Sequence, residues 1–326
     1  MKILVLGVTG HIGSAVTREL LTRGHAVTGV ARRPRARANL DGLSISYVRG
    51  DIDDFSADLN SWMRGHDAVV DAAAPYPVAL PRDANAADLV RDATTRTQRL
   101  LRAARRHRAP IAYVSSFGTL PQRRIGLDRW ATDLMQRLHP YFAVKSAIEN
   151  MLLEAARDGQ PVVVVNPTGC LGPWDLKPRE RCFVPALLRG EMPAATNQML
   201  NVIDVRDVAI GLVNALEAEV YGTPIALVGH NISNEILFRW ICEIGNVKPP
   251  PFTAPSGAAV VATYLSEVAL GAIGVEPPLP ALIAMLTYIH GYLAPSAAQV
   301  DLGLVPRPLS RTLLETIEWY RAIGYC

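Results

Sequence analysis

The sequence predicts an α/β fold, a doubly wound parallel sheet with a smaller C-terminal region attached. Three observations predict it. An almost continuous apolar run at residues 2–6 leads straight into Gly7-Val8-Thr9-Gly10-His11-Ile12-Gly13, and then into a helical pattern with Ile12, Val16 and Leu20 at spacing four. Apolar runs and helical patterns alternate from there to about residue 169, as repeated strand–helix–strand units do. Finally, Gly7, Ala72, Ser115 and Asn166 all fall at the carboxyl ends of predicted strands, the edge where open α/β sheets hold ligands.

Taken in order, residues 2–6 read as a strand buried on both faces. In the turn that follows, Gly7 permits a tight reversal, Gly10 lets backbone approach a ligand, and Gly13 lets helix and strand pack closely. Thr9, His11 and Ile12 fill the turn and the helix start, where amides and dipole favour phosphate. Strand, glycine turn and helix together predict a Rossmann-type dinucleotide site, although the spacing is G-x-x-G-x-x-G rather than G-x-G-x-x-G. Gly24 marks the helix stop. Strand 26–31 runs into Arg32 and Arg33, and no acid stands between Val27 and Asn39, whereas Arg35 and Arg37 do. An acid there meets a free ribose 2′-hydroxyl and an arginine a 2′-phosphate; the cofactor expected is NADP(H) rather than NAD. A basic surface loop is the competing reading for Arg35 and Arg37.

A third strand, 45–48, leads to Asp51 and Ile52, and a fourth, 68–71, to Ala72, Ala73 and Ala74. A long helix over 86–106 precedes the run Ile111-Ala112-Tyr113-Val114, which ends in Ser115-Ser116. Another helix is expected over 128–157, then a strand at 161–165 ending in Asn166-Pro167-Thr168-Gly169. These units form residues 1–169. From about 170 the pattern loosens into a smaller substrate region, with segments around 200–230 returning to the sheet. Gly172-Pro173-Trp174 and the stretch 177–193 read as long loops, 201–203 as a short strand, and 208–218 as a helix. Asp204 and Asp207 at that helix's entry read as caps rather than catalysts.

With 326 residues the chain can bury one large core. A net charge of +3, dispersed along the sequence, gives no reason to expect nucleic acid. The cluster Arg102, Arg105, Arg106 and Arg108 reads as the wet face and end of a helix. Cys170, Cys182, Cys242 and Cys326 show no C-x-x-C pair and no zinc spacing, so no metal is expected. With no signal peptide ahead of the first strand, the expectation is reduced thiols and a cytoplasmic protein. Residues 277–300 carry no charge, but Pro277, Pro278, Pro280 and Pro295 interrupt them. The unbroken part is shorter than the roughly 20 residues of a membrane span and reads as buried helix lining a pocket, with peripheral membrane contact as the minor reading.

The chemistry gathers between Val114 and Lys145. Tyr141 and Lys145 lie four apart, on one helix face. A free tyrosine has a pKa near 10, so ionising it at pH 7 costs about 4 kcal/mol, and a neighbouring ammonium lowers that cost. A serine hydroxyl beside such a pair can hold a substrate oxygen. Alone, Tyr-x-x-x-Lys is weak, because both residues are common on half-exposed helix faces.

Taken with the glycine turn, Val-Ser-Ser and Asn166-Pro167…Gly172-Pro173, in this order, the pair makes the chain resemble the extended short-chain dehydrogenase/reductases over nearly its whole length. Within them it resembles the dihydroflavonol-reductase-like and hopanoid-associated sugar epimerase branch. The resemblance implies that Ser116 holds the substrate oxygen, Tyr141 is the acid/base, and Lys145 lowers the tyrosine pKa and holds the nicotinamide ribose. It places Asp51 and Ile52 at the adenine, Ala72–Ala74 beside the ribose phosphate, Ser115 on the cofactor side, and Pro167 and Thr168 beside the nicotinamide. Tyr76, Phe117, Asn166 and Leu171 are the expected substrate contacts. Two departures stand out. Ala93 occupies the place of the family's first asparagine in its N-V-x-G-T-x-N-L-L run, and Phe117-Gly118-Thr119 replaces the acid pair of sugar dehydratases.

The leading expectation is an NADPH-dependent carbonyl reductase, or the reverse alcohol dehydrogenase, acting on a small hydrophobic molecule. The alternative is an NAD-dependent nucleotide-sugar epimerase, for which Arg179, Arg181 and Arg189 are the candidates to meet the diphosphate, although as a set they read first as solvated loop residues. A third is a non-enzymatic NADP(H) sensor, which the retained Tyr/Lys pair argues against. The two long helices are also where relatives form homodimers.

Overall fold

The computed structural model describes residues 1–32, 38–73, 85–120, 134, 137, 139–176, 183–275, 280–289 and 291–326. Its strands, in chain order, are β1 (Lys2–Leu6), β2 (Ala26–Ala31), β3 (Ser46–Arg49), β4 (Ala68–Asp71), β5 (Ile111–Val114), β6 (Val162–Pro167), β7 (Gly169–Leu171), β8 (Ala195–Thr196), β9 (Met199–Asp204), β10 (Pro224–Leu227), β11 (His230–Ser233) and β12 (Thr253–Ala254). The helices are α1 (His11–Thr22), α2 (Leu59–Met63), α3 (Ala86–His107), α4 (Pro140–Arg157), α5 (Phe183–Leu188), α6 (Val205–Glu217), α7 (Asn234–Gly245), α8 (Ser256–Ala272), α9 (Ala281–Ile289), α10 (Ala297–Asp301) and α11 (Leu309–Ala322).

Seven strands make one parallel sheet in the order β10-β6-β5-β4-β1-β2-β3. The order reverses between β1 and β4, and this switch point opens the crevice in which such sheets hold ligands. β4, β5 and β6 are buried throughout because helices cover both faces. One apolar layer packs α1 and α6 against the sheet, and the other packs α2, α3 and α4. Register brings the strand ends level: Leu6 pairs with Val30 and Asp71, Asp71 with Tyr113, and Val114 with Val165. The residues just beyond, from Gly7 to Asn166, therefore share one edge.

The C-terminal part adds a three-stranded sheet, β11-β9-β7, whose core includes α5, α7 and α11. Helices α8 and α9 pack together, and α9 reaches the cluster of Phe117, Tyr141 and Phe142. Among the described residues no helix is long and apolar enough to cross a membrane.

Three expectations need correction. The helix carrying Tyr141 starts at Pro140, not near 128, because His139 is extended (φ −138°, ψ 123°) and caps it, with proline in the first turn. Within 177–193, Phe183–Leu188 is helical, since its apolar side chains bury against α7. The helix expected at 208 begins at Val205, capped by Asp204.

Candidate active site

Backbone has to pass very close to backbone where β1 meets α1. Gly7 has φ +75°, the left-handed region that glycine tolerates, and a Cβ there would lie 2.8 Å from the Ala72 carbonyl oxygen. A Cβ on Gly13 would lie 2.1 Å from the Gly7 carbonyl oxygen. Gly10 caps α1 with no side-chain hydrogen bond, so the cap position itself offers no hydroxyl or carboxylate to the first-turn amides. Those amides and the helix dipole suit a pyrophosphate.

A cavity of about 640 Å³ runs from this turn along the carboxyl edge of the sheet. Gly7, Thr9, Gly10, His11 and Ile12 line one end, with Arg32, Asp51 and Ile52 beyond β2 and β3. Ala72 and Ala73 follow β4, and Ser115, Ser116 and Phe117 follow β5. Tyr141 and Lys145 face in from α4, and Pro167, Thr168 and Leu171 from β6 and β7. The residues expected to meet cofactor and substrate thus share one wall, with few exceptions. Gly13 lies behind the turn. Asn166 is fully buried and off the wall, its Nδ2 donating to the Ser116 carbonyl (3.1 Å), Thr119 Oγ1 (2.9 Å) and Glu149 Oε2 (2.8 Å). It ties strand ends together rather than meeting substrate. Arg33, Ala74 and Tyr76 lie outside the described residues.

At the reacting end Tyr141 and Lys145 are 4% and 6% exposed, one turn apart on α4. Lys145 Nζ donates to the Val114 carbonyl at 3.0 Å and lies 5.2 Å from the centre of the Tyr113 ring. Burial pushes its pKa down to about 8, and Arg96 adds to this while Asp71 and Glu149 oppose it. The amine is therefore close to the balance between its two protonation states at neutral to mildly alkaline pH. Ser116 Oγ accepts the Gly118 N–H at 3.2 Å, which leaves its own proton to donate to a ligand oxygen.

Beyond Leu171 the lining is largely apolar, with Phe183, Val184, Leu200, Val202, Ile283 and Leu286, and it carries the hydroxyls of Thr287, Thr316 and Tyr320. Arg189, one of the expected diphosphate ligands, forms a two-pronged pair with Glu191 (2.7 and 2.6 Å). Arg179 and Arg181 lie outside the described residues.

Several groups in and behind this site were not anticipated. Asp175 lines the cavity with its carboxylate 3.8 Å from His11 Nδ1. The preceding Trp174 takes Arg18 over its ring at 4.5 Å. Arg96, 1% exposed, bonds Asp71 at 2.7 Å behind the β4 end and lies 3.3 Å from Asp53. Its place in the run 93–101 is the one the family gives to glycine, and that exchange was the available signal. Glu149 continues the Tyr-x-x-x-Lys stripe by one more turn, so a charge on the helix's buried face could have flagged it.

The glycine turn, the uncapped amides and the cavity fit a dinucleotide on chemical grounds. Comparison with known proteins agrees. Residues 3–228 match the NAD dependent epimerase/dehydratase family. A Synechocystis sp. protein with the provisional name dihydroflavonol 4-reductase is 29% identical over 330 residues, covering 98% of this chain and 95% of the other. Sterol demethylase protein B of Methylococcus capsulatus is 26% identical, with 99% of each chain covered. Among solved structures, a nucleoside-diphosphate-sugar epimerase from Pseudomonas aeruginosa superposes with TM-score 0.77 at 27% identity, over 100% of this chain and 99% of that one. The Bordetella bronchiseptica enzyme WbmH, solved in complex with NAD+, has the same fold (TM-score 0.71, 21% identity, 99% of both chains). Matched over more than half its length, and with the family's turn, cavity and Tyr/Lys helix in place, the chain belongs to the NAD-dependent epimerase/dehydratase family of extended short-chain dehydrogenases/reductases.

Proposed function

We propose that the protein is an NADPH-dependent carbonyl reductase, or the reverse alcohol dehydrogenase, acting on a small hydrophobic ketone or alcohol. The observation that carries this reading is one cavity lined by the glycine turn, by Ser116, Tyr141 and Lys145, and by a largely apolar remainder. Residues 1–169 supply the cofactor half and 170–326 most of the substrate half.

A bound nicotinamide cofactor supplies or accepts the hydride at a carbonyl carbon; the rest falls to this chain's own residues. Gly7, Gly10 and the first turn of α1 hold the pyrophosphate. Arg32, at the end of β2 and 3.8 Å from Asp51, meets the 2′-phosphate, which favours NADPH over NADH. Ser116 donates its hydroxyl proton to the substrate oxygen and so aligns it. Tyr141 gives that oxygen a proton during reduction and takes one during oxidation. The Lys145 ammonium stabilises the phenolate that remains and brings the tyrosine closer to working pH. Phe183, Val184 and Leu286 exclude water around the reacting carbon.

A nucleotide-sugar epimerase is the second reading, favoured by the likeness to the Pseudomonas enzyme. A sugar diphosphate calls for cations, and the described substrate-side wall carries none: Arg32 serves the adenosine end and Lys145 the reacting end.

The test is titration of NADPH against NADH, followed by a panel of hydrophobic ketones with wild type and Tyr141→Phe. Tighter NADPH binding is expected, with turnover lost in Tyr141→Phe by about 10²-fold or more, the scale of acid–base catalysis, while NADPH affinity is unchanged. Tight copurifying NAD with no net consumption of NADPH would favour the epimerase.

A further inference from the structure

Two turns along α4 from Tyr141 lies a carboxylate that the chemistry above leaves unused. Glu149 is 5% exposed, and the helical repeat puts Tyr141, Lys145 and Glu149 on one stripe. Its Oε2 accepts from Ser115 Oγ, from Thr119 Oγ1 (2.6 Å) and from Asn166 Nδ2 (2.8 Å). Those donors come from the end of β5, the 3-10 turn Phe117–Thr119 and the end of β6. One oxygen atom thus gathers both strand ends at the reacting end of the cavity. Asn166 extends the link to the Ser116 carbonyl at 3.1 Å, and Lys145 Nζ holds the Val114 carbonyl, one residue before Ser115.

All three donors to Glu149 are neutral. A buried carboxylate is expensive to keep, and a neutral acceptor of the same shape could hold the same three groups. Retaining the charge therefore makes sense through what it faces. Lys145, one turn back, also faces Asp71 from β4, Arg96 from α3 and Tyr113 from β5, and Tyr141 precedes it by one turn on the same stripe. Arg96 opposes an ammonium there, while Asp71, already bonded to Arg96, and Glu149 support it.

We propose that Glu149 is a positioning residue for the Ser116–Tyr141–Lys145 site, fixing the Ser115–Ser116 turn against α4 and holding Lys145 in its ammonium form. This rests on the reductase reading, yet its decisive measurement needs no substrate. The chain has four lysines, Lys2, Lys145, Lys177 and Lys248, so a lysine-labelled sample gives few side-chain signals. Lys145 is assigned by the signal lost in Lys145→Met.

In Glu149→Gln the amide oxygen still accepts from Ser115 and Thr119, but the charge is gone. Its Lys145 titration midpoint is expected about one pH unit below wild type, with melting temperature and NADPH affinity retained and kcat on the ketone panel about tenfold lower. An unchanged Lys145 midpoint in folded Glu149→Gln overturns the proposal, whatever the kcat. Glu149→Asp covers the case in which the glutamine variant does not fold. It keeps the charge but shortens the reach, so the midpoint is expected to stay near wild type while kcat falls; wild-type kcat in this variant also overturns the proposal. Turnover retained in Tyr141→Phe would instead remove the reductase reading and leave the lysine titration standing.

Discussion

His139 fixes where the tyrosine helix begins, and its protonation state decides whether it can. Its Nδ1 accepts the Tyr141 N–H at 3.2 Å, so the ring must be neutral with its proton on Nε2. The side chain is buried, and burial lowers its pKa from 6.5 to about 4. The unfolded chain therefore takes up a proton at a pH where the folded protein does not. Stability contributed by this residue is present above pH 6.5 and is lost as pH falls toward 4. The gap from 6.5 to about 4 corresponds to at most about 3 kcal/mol. His139→Asn keeps a capping acceptor without the titration. Urea unfolding at pH 7 and at pH 4.5 should show a marked loss for wild type and a flatter response for the variant; parallel curves would count against the histidine as the acid-sensitive group.

Elements were legible where one local force dominated. Buried parallel strands need apolar runs, and 2–6, 26–31, 68–71 and 111–114 coincide with β1, β2, β4 and β5. The start of α4 was misplaced because the helical pattern before Pro140 carried no signal as local as the extended His139 cap. Helix α5 was read as loop because Pro185 and neighbouring charges hide a six-residue segment whose stability comes from docking on α7. Glycine was legible by spacing, but only the structure separates its uses. Gly24, φ +79°, has no atom within 4 Å of a Cβ, whereas a Cβ on Gly13 would meet the Gly7 carbonyl oxygen at 2.1 Å. Gly24→Ala should cost about 1 kcal/mol of backbone strain and leave NADPH affinity alone. Gly13→Ala must push α1 off the turn, costing roughly 1–3 kcal/mol and moving the amides proposed to meet the pyrophosphate. Thermal melts with NADPH titrations check both; equal NADPH affinity in the two variants would refute the distinction.

At the scale of the molecule, the sheet's cofactor edge and the C-terminal part must stay aligned, because α11 contributes Thr316 and Tyr320 to the cavity wall. Sequence patterning could not reveal what aligns them, since the partners lie about a hundred residues apart. Asp204 caps α6 and takes Arg206 (2.6 Å) and Thr312 (2.7 Å), while Arg206 also bonds Glu315. Asp207, one turn into α6 and 3% exposed at its side chain, accepts both the backbone N–H of Arg307 (2.8 Å) and its Nε (2.7 Å). Burial raises the Asp207 pKa and the Arg307 bonds counter that rise. Arg307→Ala leaves a buried carboxylate with only a backbone donor, a loss on the order of 3 kcal/mol. Neither Asp207 nor Arg307 lines the cavity, so NADPH affinity should hold while the melting temperature falls and KM for a ketone rises. Adding Asp207→Asn removes the uncompensated charge but keeps an oxygen for the Arg307 N–H, so the double variant should regain part of the melting temperature. A double variant as unstable as Arg307→Ala alone would mean that the guanidinium's packing, not the buried charge, holds the two parts in line.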